Sequence, residues 1–142
     1  MEVEPTDPIA MNVYTSPTCG CCGLWVEHAE QRGFKLSTHY PADLSLFKFE
    51  QGIKPELQSC HTAVSAEGYL FEGHVPARYM LEFLANPPAG ARGLAVPAMP
   101  VGSPGMEVGD RFTPYEVLLL SEDGGTEVFA RVTEPGQQYV VD

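Results

Sequence analysis

Three cysteines crowd into positions 19–22, in Thr18-Cys19-Gly20-Cys21-Cys22-Gly23, at a point where two periodicities meet. Upstream, residues 11–15 (MNVYT) read as a short strand that Ser16 and Pro17 break. Downstream, Cys22, Trp25, Val26 and Ala29 recur at i, i+3, i+4 and i+7, the stripe of a half-buried helix. That helix starts at 20 or 21, runs to Arg32 and stops at Gly33. The cysteines therefore stand at a helix N-terminus, where unpartnered backbone N–H groups and the helix dipole favour thiolate over thiol. The thiolate is both nucleophile and metal ligand. Gly20 and Gly23 let backbone and sulfurs approach without Cβ crowding.

The pattern continues with a strand over 34–40, a turn at Pro41 and a short helix over 44–51 closed by Gly52. A strand over 61–66 turns at Glu67-Gly68 into a second over 69–72. Pro76 opens a helix whose Ala77, Met80, Leu81 and Leu84 form a buried stripe, ended by Asn86-Pro87-Pro88. Residues 87–114 are rich in proline and glycine and show no period, as in a functional or disordered loop. A C-terminal hairpin follows, with strands over 115–120 and 127–132 and a turn at 123–125. Residues 1–10 read as a flexible lead-in and 11–142 as one domain. The order β-α-β-α-β-β-α predicts an α/β, thioredoxin-like fold, a central mixed sheet flanked by helices. In such a fold the stretch Gln58-Ser59-Cys60-His61, just before the third strand, lies beside the first helix's N-terminus. Cys60 is thereby expected to join Cys19, Cys21 and Cys22.

Composition narrows what this cluster can do. Nineteen acidic against eight basic residues give a net charge of −11, which repels phosphate backbones and excludes nucleic acid as a partner. No apolar run approaches the roughly 20 residues of a membrane span, so no membrane insertion is expected. Four cysteines among 142 residues are too sparse for a disulfide scaffold. The opening MEVEPTDPIAM lacks the basic and apolar regions of a secretion signal, which leaves a cytoplasmic protein or one whose signal has been removed.

Crowded thiolates repel one another unless cations neutralise them. Copper(I) is soft, and bridging sulfurs let several such ions share few ligands in a multinuclear cluster. Buried filler suits the adjacent Cys21 and Cys22 poorly, since neighbouring side chains point apart. Two other chemistries stay open: a thiol–disulfide oxidoreductase using the C-x-x-C pair Cys19 and Cys22, and a zinc-binding structural module. His61 is either a ligand or partner of the thiolates or a surface residue. His74 reads as structural or solvent-facing, although it could approach the same end of the domain. His28 lies about 10 Å down the helix from Cys21 and cannot share a ligand shell with it. His39 is a strand residue. Met99 and Met106, in the irregular segment, are either soft thioether ligands or flexible apolar fillers. No Ser-His-Asp order, phosphate loop or paired catalytic carboxylate is present, and whether the chain is an enzyme stays open.

Several stretches together resemble a bacterial family. They are Met11-Asn12-Val13-Tyr14, Ser16-Pro17-Thr18-Cys19-Gly20-Cys21-Cys22-Gly23, Trp25-Val26-Glu27-His28, Ser59-Cys60-His61-Thr62-Ala63, Glu72-Gly73-His74-Val75-Pro76-Ala77 and the run from Gly93 to Glu107. The chain is similar over about residues 11–132 to the CopG-like copper-resistance metal-binding proteins, also catalogued as domain of unknown function 411. The resemblance implies a thioredoxin-like fold, a periplasmic setting and copper handling alongside other periplasmic copper proteins. It implies copper ligation by Cys19, Cys21, Cys22 and Cys60, with the methionine loop contributing.

Overall fold

The computed structural model describes residues 9–16, 20–97 and 100–139, with the side chains of Cys21 and Glu56 outside the description. Seven strands form one mixed sheet in the order β2-β1-β3-β4-β5-β6-β7. Strand β1 (Ile9–Tyr14) runs parallel to β2 (Phe34–His39) and antiparallel to β3 (Thr62–Ser65). Helix α1 (Gly20–Glu30) makes the crossover between β1 and β2, and α2 (Leu44–Glu50) leads toward β3 through a 3-10 turn at Pro55–Leu57. Strand β3 pairs antiparallel with β4 (Leu70–Glu72), and α3 (Ala77–Ala85) crosses to β5 (Ala91–Ala95), parallel to β4. Strands β6 (Tyr115–Ser121) and β7 (Thr126–Val132) form the expected hairpin, and a 3-10 turn at Pro135–Gln138 follows.

The amphipathic stripe read in the first helix faces inward: Trp25 and Ala29 are fully buried and Cys22 nearly so. Against them pack Val13 from β1, Phe71 from β4, and Met80 and Phe83 from α3. Trp25 also satisfies its one polar group, its Nε1–H donating to the Val75 carbonyl at 2.8 Å.

Two expectations are corrected. Ile9 and Ala10 belong to β1 rather than to a flexible lead-in; Ile9 N–H donates to the Gly33 carbonyl at 2.9 Å and pairs with Phe34. The stretch 87–114 is also not irregular throughout, because it contains β5. This strand is sandwiched between β4 and β6 and four of its five residues are buried, so it shows no alternation. Gly93 makes the pairing with β4 feasible: a Cβ there would lie 1.7 Å from the Leu70 carbonyl oxygen. The remaining loop, from residue 96 to 114, is tied at both ends to the sheet.

Candidate metal centre

Three segments deliver polar side chains to one end of the sheet, and a fourth covers them. Helix α1 supplies Cys22 from its first turn, and the stretch leading into β3 supplies Cys60 and His61. The turn after β4 supplies His74, and the loop over 100–107 closes over it. Cys22 Sγ, Cys60 Sγ and a His61 ring nitrogen all lie within 4.8 Å of one another. Cys22 is disulfide-bonded, and Cys60 is partly buried.

Two imidazoles point at one sulfur. His61 Nδ1 is 3.3 Å and His74 Nε2 is 2.9 Å from Cys60 Sγ. His74 Nδ1 lies against the Pro104 carbonyl. A carbonyl only accepts, so Nδ1 carries the proton and Nε2 turns its lone pair to the sulfur. Metal-bound histidines are commonly oriented by such a contact from the other ring nitrogen. Both rings are inaccessible to solvent, and Nε2 of His61 is buried without a hydrogen-bond partner among the described residues.

Burial governs the charge of these rings. It holds His61 well below the usual imidazole range, helped by the neighbouring His74 ring and the Lys48 ammonium. Burial also lowers His74, while the Pro104 carbonyl and the Glu107 carboxylate pull the other way. Neutral imidazole is the ligating form, so these rings could take a metal ion at neutral pH. The Trp25 and His61 rings lie tilted against each other with centroids 4.4 Å apart, and His61 meets His74 edge-on at 5.1 Å.

A buried ion pair underlies the cysteine. Lys48 Nζ and Glu72 Oε2 are 2.7 Å apart, both nearly inaccessible to solvent. Glu72 also accepts from the Ser59 N–H at 2.7 Å and from the Thr62 hydroxyl, and Lys48 donates to the Ser59 carbonyl.

The structure thus unites Cys22, Cys60 and His61 from the sequence-predicted set. It places Met106 in the turn two residues beyond Pro104, with Met106 N–H donating to the Ser103 carbonyl at 2.7 Å. Cys19 and Met99 lie outside the described residues, as does the Cys21 side chain. His74, read as structural or solvent-facing, is instead buried against Cys60. Its position directly after the strand paired with β3 was the available signal. The Lys48–Glu72 pair was not foreseen. His28 stays apart from the sulfurs, its Nε2 accepting from the Ala77 N–H at 3.0 Å. No described helix is long and apolar enough to cross a membrane.

Comparison with known proteins bears on the same region. A family model, "Protein of unknown function, DUF411", matches residues 57–106, which include Cys60, His61, His74 and Met106. No significant match is found among curated proteins. Two solved structures of the copper resistance protein CopG are similar. Form 1 is 44% identical, covers 89% of this chain and 98% of its own, and superposes with a TM-score of 0.82. Form 2 is 44% identical, covers 89% and 99%, and superposes with a TM-score of 0.83. With nearly the whole of those chains matched at this identity, the protein belongs to the family of the copper resistance protein CopG.

Proposed function

We propose that the protein binds copper(I) as cargo in copper resistance, through a thiolate cluster completed by imidazole. The observation that carries this reading is the convergence of Cys22, Cys60 and His61 within 4.8 Å, with His74 Nε2 2.9 Å from the Cys60 sulfur. Thiolate is a soft donor suited to copper(I), neutral imidazole is a borderline donor that copper also takes, and the similar solved structures are copper resistance proteins. In this reading Cys19 and Cys21 add sulfurs to a multinuclear cluster, and Met99 and Met106 offer thioethers from the loop. The domain is thioredoxin-like, consistent with the β1-α1-β2-α2-β3-β4-α3 order, and it works in the periplasm with other copper-handling proteins. The Cys22 disulfide must be reduced before its sulfur can ligate.

Titration of the reduced protein with copper(I) against a tight chromophoric chelator tests the proposal. Binding should be stoichiometric and tight, and Cys22→Ser with Cys60→Ser should abolish most of it. Equal binding by that double variant, or preference for zinc over copper(I) in the same assay, would overturn it.

The disulfide at Cys22 favours one second reading, a thiol–disulfide oxidoreductase built on Cys19 and Cys22. That reading predicts insulin reduction by the metal-free protein, retained in Cys60→Ser. Inactivity of that metal-free protein with its thiols reduced removes it.

A further inference from the structure

Glu72, Gly73 and His74 are consecutive, and each acts on the same short stretch of chain. The Glu72 carboxylate accepts from Ser59 N–H and Thr62 hydroxyl, the two residues that bracket Cys60-His61. Gly73 N–H donates to the His61 carbonyl at 2.9 Å, and a Cβ on Gly73 would lie 2.8 Å from Ser59 Cβ. His74 reaches Cys60 Sγ itself. From α2, Lys48 donates to the Ser59 carbonyl and pairs with Glu72. Both main-chain polar groups of Ser59 are thus held by one buried ion pair.

Stability alone explains this arrangement poorly. Two buried charges lose their hydration, and a well-packed apolar pair of similar volume is often as stable or more so. The pair instead supplies direction: a carboxylate on the Ser59 N–H and an ammonium on the Ser59 carbonyl fix the two peptide groups that flank this residue and leave it a single orientation. Lys48 is also the one fully buried residue of α2, so the helix presents a charge to the domain interior.

We propose that Lys48 and Glu72 are positioning residues of the metal site, clamping Ser59 so that the Cys60 sulfur is held toward Cys22, His61 and His74. This deepens the copper reading and rests on it for its functional consequence. The clamp itself has a readout that needs no copper.

The test compares the full-length protein with Lys48→Met/Glu72→Leu, which replaces the pair by apolar residues, and with Thr62→Val, which removes one donor to Glu72. Circular dichroism and thermal unfolding establish folding. In reduced, metal-free protein, iodoacetamide alkylation of each cysteine is followed by mass spectrometry; copper(I) affinity is measured separately by chelator competition. The double variant should alkylate Cys60 at least about fivefold faster with little change at Cys22, and bind copper(I) at least about tenfold more weakly, the loss typical of partners that orient metal ligands. Thr62→Val should move both in the same direction by a smaller factor, and decides the matter if the double variant does not fold. Folded variants with unchanged Cys60 alkylation overturn the clamp. Altered alkylation with unchanged copper affinity overturns its role at the metal site. A wild-type protein that takes up no copper(I) sinks the copper reading alone, and alkylation still decides whether the clamp exists.

Discussion

His74 places Nε2 2.9 Å from the sulfur of Cys60, fourteen residues earlier in the chain. The contact joins the turn after β4 to the approach to β3, and the Pro104 carbonyl fixes which nitrogen is turned inward. Loss of this ring should weaken copper(I) binding about 10- to 100-fold, the range seen when a partner of a metal site is removed. His74→Ala, titrated against a chelator beside wild type, checks this; affinity within about twofold would mean that His74 only fills space.

Acid should destabilise the fold through His28. Burial, reinforced by the Arg32 guanidinium, lowers its pKa from 6.5 to about 4. Its neutral Nε2 accepts from Ala77 N–H at the start of α3. The unfolded chain therefore takes up a proton near pH 6.5 that the folded protein refuses until about pH 4. Stability is full above 6.5 and falls as pH drops between those values, by about 3 kcal/mol for a shift of this size. Urea unfolding of wild type and His28→Gln between pH 7.5 and 4 isolates this share; identical pH slopes would refute it.

Gly93→Ala should be among the most damaging single methyl additions available. The new Cβ would sit 1.7 Å from the Leu70 carbonyl oxygen, backbone that cannot swing aside, at the first pair of the β4–β5 ladder. A loss of about 3 kcal/mol or more is expected, readable as a lower thermal midpoint. Gly23→Ala, where a Cβ meets nothing within 4 Å, serves as the control and should change little.

Gln138→Leu should loosen the loop over 100–107. The wild-type amide is fully buried, donating from Nε2 to the Gly102 carbonyl at 2.8 Å and accepting from the Tyr115 hydroxyl. Removing it leaves those partners unpaired at a cost of about 1–3 kcal/mol each. Faster amide exchange at Gly102 and Met106, with strand β1 unaffected, is the expected signature.

The first half of the fold was legible because its elements are exposed on one side. Trp25 and Ala29 repeat at helical spacing, and that spacing alone turned them inward. The meeting of Cys22 with Cys60 followed from element order, since strand β3 pairs beside β1. Strand β5 escaped notice because burial of Ala91, Gly93, Leu94 and Ala95 erases alternation, and its glycine reads as loop until the approach of Leu70 is seen. Lys48 was hidden by the reverse effect: α2 exposes Leu46 and Phe49 and buries its lysine, so polarity pointed the wrong way. The place of His74 after the strand paired with β3 is legible, but its orientation depends on a carbonyl 30 residues away, which no local pattern carries.

The anchorage of the 100–107 loop sets an order of assembly. Gln138 grips Gly102 across 36 residues, and the Tyr139 hydroxyl donates to Glu107 at 2.7 Å. The cysteines emerge early in synthesis, yet the cover that orients His74 gains its fastening only after residue 139 has been made. A nascent chain therefore carries Cys22, Cys60 and His61 before His74 is oriented beside them, and the group is finished only once the turn at Pro135–Gln138 has formed.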